Sequence, residues 1–204
     1  YYYLRRARDT WMYQGKANHY KSSLDDHKAV SLDSFYFPAY EKLQVYYYNN
    51  DTQQASKYRK LTLKKMQQAV VLYPDSAVFW YYLGEAWNNY LHGLSSHKIG
   101  FDTCLVFYSK AIALDTTEAN YYFARGCINC NALGNYKACL PDMQHALKIY
   151  DWIVYRNYII KCYTKLGRYN EALAATEEAL LQFPDNKYLL KDKKDLLLKT
   201  GDGK

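Results

Sequence analysis

The sequence predicts an all-α protein built from stacked helix pairs, and three observations lead there. A short segment recurs five times along the 204 residues, each copy an alanine followed by apolar positions and closed by an acidic residue or a proline. Apolar residues elsewhere follow helical spacing, with glycines standing where one helix must end and the next begin. Half of the residues are hydrophobic and 23% are charged, enough apolar surface to build a core and to exclude intrinsic disorder.

The recurring segments carry their alanines at Ala29, Ala69, Ala111, Ala146 and Ala179, as in His27-Lys28-Ala29-Val30-Ser31-Leu32-Asp33 and Gln144-His145-Ala146-Leu147-Lys148-Ile149-Tyr150-Asp151. The separations are 40, 42, 35 and 33 residues. The last two approach the roughly 34-residue period of a two-helix repeat, so the earlier units must carry insertions.

The units follow in order. In the first, 1–34, Trp11, Tyr13 and Gly15 precede the Ala29 segment. In the second, 35–75, Pro38 argues against helix before about residue 38. The third, 76–117, reads Trp80-Tyr81-Tyr82-Leu83-Gly84-Glu85-Ala86-Trp87 and then Cys104, Tyr108 and Ala111, with about eight extra residues between, near Ser95 to Gly100. The fourth, 118–151, carries Tyr122, Gly126, Leu133-Gly134-Asn135-Tyr136, Cys139, Met143 and Ala146. There Arg125 stands at an apolar position and Pro141 falls inside the early second helix, which predicts a local distortion. The fifth, 152–185, runs Tyr163-Thr164-Lys165-Leu166-Gly167-Arg168-Tyr169-Asn170-Glu171-Ala172-Leu173 and on to Ala179 and Pro184. Residues 186–204 read as a solubilising cap helix and tail, since Leu189 to Leu198 keep helical spacing with Lys and Asp between.

These motifs resemble the tetratricopeptide repeat (TPR), whose pattern opens W-x-x-L-G-x-x-Y and continues through A-x-x-x-F to a closing proline. The resemblance implies a right-handed α-solenoid of about five TPR-like helix hairpins plus a C-terminal capping helix. Each hairpin cannot bury its apolar face alone, and stacking completes the core. Small residues such as Gly84, Gly126, Ala172 and Ala179 allow close approach, while Trp80, Tyr108, Tyr122 and Tyr169 fill the gaps. With 25 tyrosines in the chain, tyrosine must help to build that core.

The chemistry-bearing residues form no recognised catalytic set. No P-loop or dinucleotide fingerprint is present, and no histidine stands with a nucleophile and an orienting acid in a known order. The neighbouring acids Asp25-Asp26 and Glu177-Glu178 read as solvated helix faces. Cys127-Ile128-Asn129-Cys130 has metal-ligand spacing, yet no further ligands accompany it in sequence, so burial accounts for the cysteines and no metal or cofactor is expected. A non-catalytic role follows. Five cysteines leave one unpaired, which favours a reducing compartment, whereas Asn50-Asp51-Thr52 is a glycosylation acceptor if the protein is secreted. The start, Tyr1 to Arg6, lacks both Met and a signal-type apolar run, so a processed or truncated product is expected and secretion stays open. No stretch is apolar enough to cross a membrane as a helix.

The net charge of +7 is spread as 12 basic and 6 acidic residues over 1–74, 5 and 7 over 75–151, and 10 and 7 over 152–204. This lacks the dense basic stripe of a nucleic-acid binder. The resemblance instead implies an interaction or assembly scaffold that takes a peptide or partner protein on an inner concave face. The matching first-helix positions are Tyr81, Tyr82, Glu85, Asn88 and Asn89 in the third unit, Phe123 in the fourth, and Asn157, Tyr158, Lys161 and Lys165 in the fifth. Tyrosine offers large contact area with few torsions, and amides hydrogen-bond an extended backbone. Some family members clamp a terminal carboxylate with Lys, Asn and Arg at set positions. Here those positions hold Tyr81, Glu85, Ala124, Val154 and Tyr158, so the clamp is absent. The alternatives are a structural subunit of a larger assembly or filament, including self-association, and behind it a nucleic-acid-binding helical repeat.

Overall fold

The computed structural model describes residues 16–92 and 100–201, with side chains from residue 24 on. Among the described residues there are ten α-helices, one π-helical turn and no strand. Trp11, Tyr13, Gly15 and the inserted residues 93–99 lie outside them. The chain divides into two compact units, parting between residues 97 and 98.

In the N-terminal unit α1 (Lys16–Leu32), α2 (Phe37–Asn50), α3 (Thr52–Leu72) and α4 (Ala77–His92) each pack on the next. Helix α2 begins where Pro38 allows, with the proline in its first turn, where the missing N–H costs nothing. A single residue, Asp51, joins α2 to α3 and caps the latter by accepting from the N–H groups of Gln53 and Gln54 at 3.0 and 3.1 Å. The core holds Phe37, Tyr40, Leu43, Met66, Val70 and Leu83. Tyr40 can be buried because its hydroxyl donates to the Ser34 carbonyl at 3.1 Å. Trp80 is anchored likewise, its indole N–H donating to the Pro74 carbonyl at 2.7 Å.

In the C-terminal unit the order is α5 (Phe101–Leu114), α6 (Ala119–Cys127), a π turn (Ile128–Ala132), α7 (Tyr136–Ile149), α8 (Ile153–Lys165), α9 (Tyr169–Gln182) and α10 (Lys187–Thr200). Each again packs on its neighbour. One core is built from Tyr122, Cys139, Leu140, Met143, Tyr155 and Ile159, and a second from Ile160, Ala172, Ala179, Leu189 and Leu196. The cap helix thus contributes an apolar stripe as well as polar residues.

The recurring alanines hold one structural position. Each carbonyl accepts the N–H of the residue four places on, where the helix ends: Asp33, Tyr73, Asp115, Tyr150 and Phe183, at 2.8 to 3.0 Å. Ala69, Ala111, Ala146 and Ala179 are fully buried there, where close packing against a neighbouring helix suits a small side chain. Gly134 and Gly167 sit at φ of +65° and +74°, the left-handed conformation that lets the chain turn between helices.

The distortion expected in the fourth unit is present, but it lies before Gly134 rather than at the exposed Pro141 inside α7. From Ala119 to Gly134 is 15 positions, whereas from Ile153 to Gly167 is 14. The additional residue is absorbed in the π turn, where the Leu133 N–H reaches the Ile128 carbonyl, five residues back, at 3.1 Å.

Candidate functional site

The candidate residues fall on three helices in the two units. On α4, Tyr81, Tyr82, Glu85, Asn88 and Asn89 are all half-buried. Their spacing of three, four and seven puts most of them along one side of the helix. Tyr82 stacks on Phe37 of α2, with ring centroids 4.6 Å apart and planes 14° from parallel, so its ring is partly spent on packing. Asn88 buries its Oδ1 with no hydrogen-bond partner among the described residues.

In the C-terminal unit Phe123 of α6 lies edge-on to Tyr158 of α8 at 5.7 Å, and it also touches Tyr155 and Trp152. Lys161 sits one turn on, its ammonium 5.5 Å from the centre of the Tyr158 ring. Asn131, which sequence reasoning missed, connects the two: its Nδ2 donates to the Tyr158 hydroxyl at 2.8 Å and its Oδ1 accepts from Lys161 Nζ at 3.0 Å. Burial pushes the Tyr158 hydroxyl up to about 12; the Asn131 amide opposes the rise and the Cys127 thiol adds to it. Tyr158 therefore stays a neutral donor throughout the physiological range.

Asn157, Lys161 and Lys165 share a hollow of about 330 Å³ between α8 and α10. Its other polar walls are Thr164, Asp192, Asp195 and Lys199, so the hollow presents both charges. Burial raises the Asp192 carboxyl, and the neighbouring Asp195 raises it further. The sequence reading places these acids on a solubilising cap. Their i, i+3 spacing, with Lys199 four residues beyond Asp195, is the available signal that one face of the cap is shared.

One further reading, of Asp26, is corrected by the geometry. Asp26 is buried rather than solvated, whereas Glu178 and Glu177 are exposed as expected and pair at the surface with Arg156 at 2.8 Å and Lys193 at 2.9 Å. Cys127 and Cys130 do not act as a pair: Cys130 turns inward to Cys139 and Cys162, while Cys127 stays half-buried beside Tyr158. Among the described residues no helix is long and apolar enough to cross a membrane.

The sequence matches no protein-family model and no curated protein. Solved structures do resemble it in fold. TTC0263, a thermophilic TPR protein of Thermus thermophilus, aligns over 96% of this chain and 97% of its own with a TM-score of 0.65 and 19% identity. YrrB, a TPR protein with an unusual peptide-binding site, aligns over 88% of this chain and 84% of its own, with a TM-score of 0.58 and 15% identity. A tetratricopeptide repeat protein from Parabacteroides merdae gives a TM-score of 0.58 at 13% identity, over 98% of this chain and 72% of its own. With the alanine register and the turn glycines, these likenesses make this an all-α helical-repeat chain of the tetratricopeptide-repeat fold.

Proposed function

We propose that the protein is a non-catalytic interaction scaffold that binds an extended segment of a partner protein, and that α8 carries the principal contact. What supports this is the convergence of Asn157, Lys161 and Lys165 on one hollow with acidic residues opposite. Such a surface suits a main chain flanked by side chains of both charges, since the amide can pair with backbone groups and each charged wall with its opposite. Phe123 and Tyr158 supply aromatic area at its margin. Tyr81, Glu85, Asn88 and Asn89 form a second contact strip on α4. The peptide binding of YrrB lends the reading an analogy of fold only.

The test is photo-cross-linking in nuclease-treated extract from a reactive residue at position 157, with Leu181, 85% exposed on α9, as the control position. One protein captured from 157, not from 181, and lost with Lys161→Ala supports the reading. Capture abolished by nuclease, or identical from both positions, refutes it. Recognition is expected not to depend on a free C-terminal carboxylate, so amidated and free peptides of the captured segment should bind alike.

A further inference from the structure

In the core of the C-terminal unit the Sγ atoms of Cys130, Cys139 and Cys162 lie within 4.8 Å of one another, and all three residues are buried. They arrive from three different elements: the π turn, the first half of α7 and the later part of α8. Packing alone does not call for sulfur here, since Ala172 fills in α9 the place that Cys139 fills in α7, five residues after the turn glycine, and is equally buried. The π turn is part of the arrangement. One extra residue rotates the side chains that follow by about 100° relative to a continuous α-helix, and Cys130 is among those it redirects.

We propose that Cys130, Cys139 and Cys162 form a three-coordinate thiolate site for one soft monovalent metal ion, Cu(I). Three donors around a planar ion with bonds of about 2.3 Å place the sulfurs about 4.0 Å apart, a contraction that small side-chain rotations supply. Among the described residues no His, Asp or Glu joins the group. A structural zinc site takes four ligands, whereas an all-sulfur set of three selects the softer ion.

The electrostatics favour a cation. Ionising one of three buried sulfurs that lie within 4.8 Å of one another leaves no solvent to screen it from the next. A second thiolate beside the first is therefore costly until a positive ion stands between them. On loading, three S–Cu bonds replace three S–H bonds, three protons pass to solvent, and copper remains Cu(I), so no oxidant or reductant takes part.

The test uses the full chain, reduced and kept anaerobic, titrated with Cu(I) against a bicinchoninate competitor and then examined by X-ray absorption. The expected result is one Cu(I) per chain with three sulfur neighbours at about 2.3 Å. Cys130→Ala, Cys139→Ala and Cys162→Ala should each weaken binding by more than the roughly 100-fold that losing an outer hydrogen-bond partner costs a metal site. Cys127→Ala should leave it unchanged, which separates this site from a C-x-x-C pair. A wild-type spectrum with fewer than three sulfurs, preference for Zn(II) over Cu(I), or equal weakening by Cys127→Ala overturns the proposal. The wild-type spectrum needs no variant, so a substitution that fails to fold leaves the test decisive.

Discussion

Arg125 holds Asp142 with both arms of its guanidinium, Nε to Oδ2 at 3.0 Å and Nη2 to Oδ1 at 2.6 Å, and spends its third nitrogen on Ser109 Oγ at 3.0 Å. One side chain of α6 thereby ties α5 and α7 together. Asp142 is almost fully buried, its side chain only 6% exposed, so its carboxylate depends on this fork for compensation. The pair explains why an arginine stands where the repeat pattern expects leucine.

Restoring that leucine should therefore harm the protein. Arg125→Leu leaves a buried carboxylate unpaired and is expected to cost about 3–5 kcal/mol. Arg125→Leu with Asp142→Ala removes the stranded charge as well, and should recover most of the loss. Urea denaturation of the C-terminal unit measures both. A single variant within about 1 kcal/mol of the parent, the cost of an ordinary surface change, would show that the pair is not the constraint described.

Arg156 makes the second fork. It is buried on α8, bonds Asp151 through Nε at 2.9 Å and Nη2 at 2.7 Å, and reaches Glu178 through Nη1 at 2.8 Å. Those bonds, with one from Gln182, hold the Asp151 carboxyl down at about 2. Because the folded value lies below the unfolded one, near 4, the stabilisation is complete above that pH and is lost as pH falls through about 2. Asp151→Asn should flatten the acid limb of the stability profile over that window and leave the slope above pH 5 alone. Arg156→Lys keeps the charge but loses the planar fork, at an expected cost of about 1–2 kcal/mol. Parallel acid profiles for parent and Asp151→Asn would count against this assignment.

Asp26 on α1 behaves oppositely. Burial raises its carboxyl to about 6, Lys42 on α2 pulls it back, and Asp25 pushes it further up. A folded value above the unfolded one means that its contribution is present below about pH 4 and lost as pH rises through about 6. At neutral pH the ionised group opposes folding of the N-terminal unit. Asp26→Asn should therefore stabilise that unit by on the order of 1–2 kcal/mol at pH 7.5, with little effect at pH 4. Denaturation at the two pH values gives the comparison, and an equal effect at both would exclude titration of Asp26 as its source.

The repeat was legible because its markers answer to local geometry. Ala69, Ala111, Ala146 and Ala179 must be small where helices meet, and Gly134 and Gly167 must reach positive φ, so the residue types announce the positions. The grouping of Cys130 with Cys139 and Cys162 was not legible. It depends on one extra residue being absorbed before Gly134, and the spacing of Cys127-Ile128-Asn129-Cys130 carries no sign of Cys139 or Cys162. Asn131 escaped for the same reason. Asp192 and Asp195 escaped because charged residues on a terminal helix look like a solvated face until α8 is laid beside them. The expectation that Asp25 and Asp26 lie on a solvated face holds for Asp25 and fails for Asp26, since adjacent helical residues point about 100° apart and Asp26 is the one that is buried.

Two glycines should fail under alanine substitution by different mechanisms, and the difference can be read by rescue. At Gly134 an added Cβ meets nothing within 4 Å, so the only penalty is holding alanine at φ of +65°, about 1 kcal/mol. At Gly126 the backbone is ordinary helix, but a Cβ would stand 2.6 Å from Met143 Cε and 3.2 Å from Asp142 Cβ. Met143 is fully buried and cannot simply swing to solvent, and Asp142 is fixed by Arg125, so overpacking of about 1–3 kcal/mol outweighs alanine's better helix propensity. Shortening the crowding side chain, Gly126→Ala with Met143→Val, should return part of that loss, although Met143→Val alone is destabilising. The same Met143→Val change combined with Gly134→Ala should give simple additivity. A double-mutant cycle by urea denaturation decides: additivity at both glycines would mean that Gly126 is held by something other than its contact with α7.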